Sequence, residues 1–208
     1  MVVGAVAALL LAVVVRVVVS GPAALDRGDA AYAQGDHLGA CAAWREAVSW
    51  VLPLGASAVW REAAMERLES LADDRVEAGD LPGGVMALSS LRSGILAGHG
   101  LLRPDQDRVE AVDPLLAVLL ADWEAEDALA HDRTVPGDRA ERVAFYQARL
   151  AEDPRPSRPM SALALAGFLL WVITMFRNAG AQAGSGGRRG WALALLGLGM
   201  MLTGVALA

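Results

Sequence analysis

Three long stretches without a charged side chain flank an acidic central region in this chain. The stretches cover residues 2–15, 160–176 and 191–208, and all 24 acidic residues lie from Asp26 to Asp153. A lipid hydrocarbon core is roughly 30 Å thick, and a helix needs about 20 mostly apolar residues to cross it. The pattern therefore predicts three transmembrane helices, one before the acidic region and two after it.

Arginines in the loop between the last two apolar stretches orient the predicted helices. Residues 177–190 contain Arg177, Arg188 and Arg189 and no acidic residue. Because positively charged short loops stay on the cytoplasmic side of a membrane, the acidic region is predicted to lie on the opposite side. The sequence thus predicts a multi-pass protein of a bacterial inner membrane with a periplasmic main domain.

The N-terminal stretch is predicted to be an uncleaved signal anchor. It lacks a basic start, Arg16 interrupts it, and no good small-x-small cleavage site follows, although cleavage stays open. Gly4, Ala8 and Ala12 lie four residues apart, and such a face of small residues lets two membrane helices approach closely. We therefore expect a packing face at these three positions.

These boundaries divide the chain into six segments. The predicted segments are a transmembrane helix at 1–20, an extracytoplasmic α-helical domain at 21–152, a Pro-rich tether at 153–159, a transmembrane helix at 160–176, a basic Gly-rich cytoplasmic loop at 177–190 and a transmembrane helix at 191–208. The central domain is long enough to bury a core of its own.

The central region is strongly acidic. Residues 21–159 hold all 24 acidic residues and 14 of the 18 arginines, which gives this region a net charge of −10. Such a surface repels phosphate backbones and argues against nucleic-acid binding. Cys41 is the single cysteine of the chain. It rules out an internal disulfide and is predicted to be a small buried side chain.

The central domain has helical patterning throughout, and Gly and Pro residues divide it into six predicted helices. Their ranges are 23–34, 37–51, 57–78, 81–97, 105–126 and 137–151, with Pro114 breaking or kinking the fifth. Apolar residues recur at three- and four-residue spacing on these helices. The side chains predicted to face inward are Trp60, Ala64, Leu68, Leu71 and Val76, then Met86, Leu88, Leu91 and Ile95, then Leu116, Leu119, Leu120 and Trp123, and finally Val143, Tyr146 and Leu150.

One segment of the central domain carries the spacing of a known helical repeat. Gly35-Asp36 follows one predicted helix, and Ala40, Trp44 and Ala47 lie on the next. This spacing resembles the tetratricopeptide repeat (TPR), a family of stacked helical hairpins. The resemblance implies a TPR-like domain whose small residues allow close helix packing, whose tryptophan fills the gap to the next pair, and which binds partner proteins.

A weaker echo of the same pattern follows at Gly79-Asp80. The two glycines are 44 residues apart, against about 34 in the family. Gly35 and Gly79 are predicted to end helices with positive φ, and the aspartate after each to cap the next helix. Gly28 falls where paired helices of the family cross.

No motif for catalysis or cofactor binding occurs in the sequence. The three histidines have no partner at metal-ligand spacing, and no phosphate loop or dinucleotide fingerprint is present. The acidic clusters lack the spacing of a calcium loop and are interpreted as solvated helix faces. A carboxylate pair for glycoside hydrolysis stays an open alternative. The sequence therefore predicts a non-enzymatic protein without a metal or other cofactor.

These features favour a membrane-anchored scaffold or adaptor. Its helical-repeat domain is predicted to bind other membrane or periplasmic proteins and to support assembly of a membrane complex, with the lipid bilayer as a further partner. Arg45, Trp60, Arg61 and Arg92 are the predicted contact residues, because such helices carry exposed Arg beside aromatic side chains. The alternative is an accessory subunit of a transport or energy-transducing membrane complex that acts mainly through transmembrane helices. The oligomeric state, a homo-oligomer included, stays open.

Overall fold

The described part of the protein is α-helical. A computed structural model describes residues 2–51, 58–99 and 104–152, together with 162–163, 166–168, 170–172 and 174. No strand occurs among these residues, which confirms the all-α prediction for them. The helices up to residue 152 are α1 (Val2–Ala33), α2 (His37–Ser49), α3 (Ala58–Glu77), α4 (Leu81–Ala97), α5 (Gln106–Ala130) and α6 (Arg139–Ala151).

The chain divides into two compact units. The first comprises Val6–His99 and Arg103–Glu152, and the second comprises Met1–Ala5, Gly100–Leu102 and Asp153–Ala208. In the second unit the described residues between 162 and 174 are helical. The rings of Phe168 and Trp171 lie there with centroids 6.2 Å apart.

The predicted transmembrane architecture is wrong for the part of the chain that the structure describes. None of the helices searched there combines the length and the apolar character that a bilayer crossing requires. The N-terminal stretch does not form a separate helix that ends at residue 20, because α1 continues to Ala33 and carries Asp26, Arg27 and Asp29 in its second half. Three transmembrane helices and a multi-pass inner-membrane location are therefore not retained.

Several parts of the predicted transmembrane architecture lie on residues that the structure does not describe. The tether at 153–159, the third apolar stretch at 191–208 and the loop arginines Arg177, Arg188 and Arg189 all lie there. Gly4, Ala8 and Ala12 lie on the backbone of α1, but their side chains belong to the part that is not described. The packing face predicted at these three positions stays a prediction.

The same turn closes the first two helical hairpins. α1 and α3 both end in a Schellman motif, in which Gly35 and Gly79 have φ of +78° and +75°. The next residue donates its backbone N–H to the carbonyl five residues earlier, over 3.0 Å at Asp36 and 2.8 Å at Asp80. These two aspartates then cap α2 and α4 by accepting from the backbone N–H three residues on, over 2.8 Å and 3.0 Å. The predicted echo is thus a repeated backbone structure.

A third hairpin has the same stop without a glycine. At the end of α5, Asp132 has φ of +50°, and Arg133 N–H donates to the carbonyl of Ala128 over 2.8 Å. α6 then begins with a capping box between Asp138 and Glu141. The described residues therefore form three successive hairpins, α1–α2, α3–α4 and α5–α6. This helical bundle is compatible with a helical-repeat fold.

Trp44 of α2 is the centre of packing between the first two hairpins. Its side chain is 1 % exposed and lies against Gly28 of α1, where a Cβ would come within 2.3 Å of the indole ring. The indole N–H donates to the carboxylate of Asp29 over 3.0 Å, and Arg67 of α3 donates to the same oxygen over 3.3 Å. The expectation that Gly28 marks the crossing of two paired helices is confirmed.

Each helix of the bundle packs on its neighbours along the chain. α2 packs on α3 and α4, α4 packs on α3 and α5, and α5 packs on α6. Burial of aliphatic side chains between these helices drives their association. The core comprises Ala24, Ala40, Cys41, Trp44, Ala47, Val48, Ala64, Met65, Leu68, Leu71, Ala72, Val85, Ala87, Leu88, Leu91, Ile95, Val109, Val112 and Leu116.

The structure departs from the sequence predictions at a proline and at the edge of the core. Of the break or kink predicted at Pro114, the break does not occur, because α5 continues through this residue. The ring lies on the exposed side of the helix, so water can replace the hydrogen bond that it removes. Val76 and Trp123, predicted to face inward, are each 38 % exposed, and Trp60 is half-buried.

We expect Gly28→Val to destabilise the protein by about 1–3 kcal/mol, because the new side chain overlaps the indole of Trp44 inside a packed core. Ala30→Val is the control, since Ala30 lies on the exposed side of the same helix. It should cost no more than about 0.7 kcal/mol, the helix-propensity difference. Urea unfolding followed by circular dichroism measures both. Equal losses in the two variants would contradict the tight α1–α2 crossing.

Gly35→Ala and Gly79→Ala should each lower the free energy of unfolding by about 1 kcal/mol, because alanine disfavours positive φ. A Cβ at either glycine meets no atom within 4 Å, so the cost is conformational alone. Asp132→Gly at the third stop is the converse test and should raise stability by about 0.5 kcal/mol. The same urea titrations apply, and a stabilising Gly35→Ala would refute the shared turn geometry.

Candidate protein-binding groove

The first two predicted contact residues have different surroundings. Arg45 is exposed on α2 and makes no ion pair with any described residue. The Arg61 side chain is only 6 % exposed, with its Nη1 2.6 Å from the carboxylate of Asp105. Its Nε donates to the carbonyl of Val48 over 2.7 Å. Arg61 therefore connects the end of α2 to the start of α5.

The other two predicted contact residues also have internal contacts. Arg92 donates through Nε to the carboxylate of Asp113 and through Nη2 to the carbonyl of Leu150, both over 2.6 Å. It thereby ties α4 to α5 and α6. The indole of Trp60 lies on Gly21 of α1, where a Cβ would be 2.3 Å from Nε1. The four residues do not come together as one binding surface.

A wide depression surrounds Arg45 between α1, α2 and α4. It has a volume of about 880 Å³. Its walls are mostly alanine, glycine and serine, crossed by an ion pair of 2.8 Å between Arg27 and Glu46. Binding sites are usually lined by larger apolar side chains with a few polar groups, and this depression offers no such anchor.

A second depression lies between α3, α4 and α5, and we call it the α3–α5 groove. Its volume is about 410 Å³, within the range of ligand and peptide sites. Aliphatic side chains dominate the walls, and two carboxylates stand on the α3 side. The lining residues are Ala72, Asp73, Val76 and Glu77 of α3, Leu88 of α4, and Leu115, Val118 and Leu119 of α5.

The aliphatic walls of the α3–α5 groove are open to solvent. Leu115 is 59 % exposed and Val76 is 38 % exposed. Val76 is one of the side chains predicted to face inward, and neither Leu115 nor Val118 is among the predicted contact residues. Residues 115–120 are all apolar, which is more than the buried face of one helix needs. This run is the feature of the sequence that could have indicated an exposed apolar surface on α5.

Arg108 connects α5 to α3 next to the groove. Its guanidinium lies 3.0 Å from the carboxylate of Glu62 and 2.9 Å from that of Glu69. Burial raises the pKa of Glu69, the charge of Arg108 opposes that rise, and the charges of Glu62 and Asp73 add to it. One arginine thus offsets the mutual repulsion of the α3 carboxylates at this level of the bundle.

The rim of the groove has acidic side chains without such a counter-charge. Asp73 and Glu77 are both exposed and lie one turn apart on α3. Neither forms an ion pair with any described residue. Arg75, between them in sequence, is directed to Asp80, with a distance of 3.3 Å. The groove therefore combines an aliphatic interior with uncompensated negative charge along one edge.

The described residues contain neither a metal-binding cluster nor a reactive cysteine. No group of three or more His, Cys, Asp or Glu side chains in them is arranged to hold a metal ion. Cys41 is buried in the core, and that burial raises the pKa of its thiol to about 11. The thiol is therefore protonated near neutral pH and is a poor nucleophile.

No protein-family model, curated protein or solved structure matches this chain. The function has to be argued from the groove and from the bundle that positions it.

Arg61→Ala should lower the free energy of unfolding by about 2 kcal/mol, because it leaves the Val48 carbonyl and the Asp105 carboxylate without their partner. The loss stays moderate since the Asp105 side chain is 31 % exposed and can be hydrated. Arg45→Ala is the matched surface control, with an expected change below about 0.5 kcal/mol. Thermal and urea unfolding compare the two. Similar stability of both variants would argue against the structural role of Arg61.

Proposed function

We propose that this chain is a non-enzymatic adaptor whose TPR-like helical hairpins bind a segment of a partner protein in the α3–α5 groove. The observation that carries this proposal is a depression lined mainly by aliphatic side chains, two of which, Leu115 and Val76, are exposed. Contiguous exposed apolar surface is costly to leave in water and commonly marks an interaction site.

The scaffold of the groove supports a binding role. Its lining belongs to three helices, α3, α4 and α5, rather than to loops, and each helix has side chains in the core. Arg108 joins α5 to α3 through Glu62 and Glu69. A partner segment would therefore meet a groove that needs little ordering on binding, which conserves affinity.

The hairpin architecture supports the same class of function. Three hairpins end their first helix with the same stop, and two of the three cap the second helix with the aspartate that follows the glycine. Stacked hairpins expose grooves between successive first helices, which is the relation between α3 and α5. Repeat proteins use such surfaces for peptides and partner domains.

A hydrolytic role for the rim carboxylates has weaker support. Asp73 and Glu77 are exposed side chains one turn apart on a single helix. Glycoside hydrolysis needs two carboxyl groups on opposite sides of a scissile bond, with the acid in an environment that raises its pKa. Two carboxylates on one helix face cannot flank a scissile bond in this way, and adaptor function is the better account of the groove.

The proposal predicts that Leu115→Ser weakens peptide binding at least about tenfold, the size of a moderate interface hot spot. Peptides would be selected from a random displayed library on the full-length chain, and their dissociation constants measured by fluorescence anisotropy. Leu129→Ser is the matched control, because Leu129 is also an exposed leucine of α5, at 82 %, and does not line the groove.

Both variants make the same chemical change on one helix, so differences in stability or helix propensity cancel in the comparison. Loss of binding only in Leu115→Ser supports the groove as the docking site. Selected peptides that bind Leu115→Ser and Leu129→Ser with equal affinity would refute it, and so would a library that yields no binder.

A further inference from the structure

We propose that the occupant of the α3–α5 groove is a cationic amphipathic segment of a partner protein, in which aliphatic side chains alternate with Arg or Lys. This inference rests on the proposed adaptor function and specifies the chemistry of the partner. Three observations carry it: the uncompensated rim carboxylates, the internal arrangement of Arg108, and the register between α3 and α5.

Arg108 shows how a guanidinium can be bound between α3 and α5. It extends from α5 across to α3, where it lies between Glu62 and Glu69 and has Met65 Sδ at 3.5 Å from Nη1. The charged head thus meets two carboxylates while the side chain runs over apolar surface. Arginine combines these two contacts well because its stem is aliphatic and its head is planar.

The groove lies further along the same two helices and has carboxylates but no arginine. Seven residues, about two helical turns, further along α5 lies Leu115, and the corresponding step on α3 leads from Met65 to Ala72. On α3, Asp73 and Glu77 follow Glu69 by four and eight residues, whereas α5 supplies only aliphatic side chains to the groove. A partner's arginine or lysine would therefore meet two carboxylates, Asp73 and Glu77, that have no ion pair among the described residues.

No other element that packs around the groove neutralises the rim. α4 contributes the apolar Leu88 to the lining. On α5, the next carboxylate beyond the groove, Asp122, is paired with Arg139 of α6 over 2.7 Å. On α3, Asp74 adds another exposed acidic side chain without an ion pair among the described residues. The local field at the groove is negative and favours a cation.

The two components of the groove have different roles in recognition. Exposed ion pairs contribute little affinity, so the aliphatic contacts at Leu115 and Val76 supply most of it. The rim carboxylates select among apolar segments, because like charge opposes binding and opposite charge accelerates it. The chain as a whole has a net charge of −6, which disfavours a second copy of itself as the occupant.

Synthetic peptides of one length test the inference directly. One carries leucines at helical spacing with arginines between them, a second replaces every arginine by glutamine, and a third replaces every arginine by glutamate. We expect the arginine peptide to bind the full-length chain most tightly, the glutamine peptide less tightly and the glutamate peptide not at all. Raising the salt concentration should weaken only the arginine peptide.

The decisive variant is Asp73→Asn/Glu77→Gln, which removes the rim charge without changing side-chain size. It should weaken the arginine peptide roughly three- to tenfold and leave the glutamine peptide unchanged. Asp26→Asn/Glu126→Gln is the matched control, because it also replaces one Asp and one Glu by their amides, at exposed positions outside the groove. It should change neither affinity.

The outcomes separate this inference from the proposed function. Equal binding of the three peptides, or equal effects of the two double variants, would overturn the cationic partner while Leu115→Ser still abolishes binding at the groove. Binding that Leu115→Ser does not affect would refute the adaptor function itself. Self-association of the free chain that Leu115→Ser disperses would identify a second copy as the occupant and also overturn the inference.

Discussion

The packing of the Trp44 indole against Gly28 is the contact on which the first two hairpins depend. An indole occupies so much volume that α2 can approach α1 only where the facing residue has no side chain. The indole N–H then needs an acceptor, which Asp29 provides, and Asp29 in turn accepts from Arg67 of α3. One aromatic side chain thereby fixes the relative positions of three helices, including the helix that forms one wall of the groove.

The residues that face each other on α3 and α5 determine where the bundle leaves an open groove. Near the start of α5, Arg108 forms ion pairs with both Glu62 and Glu69 and so bridges the two helices. Two turns later, Leu115 occupies the corresponding position and the carboxylates of α3 have no partner among the described residues. The same two helices are therefore bridged by an arginine at one level and leave an open, acidic-edged groove at the next.

Local rules predicted the turns well and the longer-range features poorly. Gly35 and Gly79 were identifiable because positive φ is a property of one residue and its neighbours. A break or kink was expected at Pro114; its outward position lets the helix continue without a break, and only packing reveals that position. The internal hydrogen bonds of Arg61 and Arg92 could not be predicted from the sequence either, because their acceptors lie on other helices.

The distribution of arginine links composition to recognition. Within the described residues, the arginines that pair with carboxylates do so mainly between helices or at helix ends; they are Arg27, Arg61, Arg67, Arg75, Arg92, Arg108, Arg133 and Arg139. Acidic residues outnumber arginines in the chain, so acids such as Asp73 and Glu77 remain unpaired. Because these two acids lie beside exposed leucine and valine, we expect a partner segment that binds in the α3–α5 groove to carry positive charge.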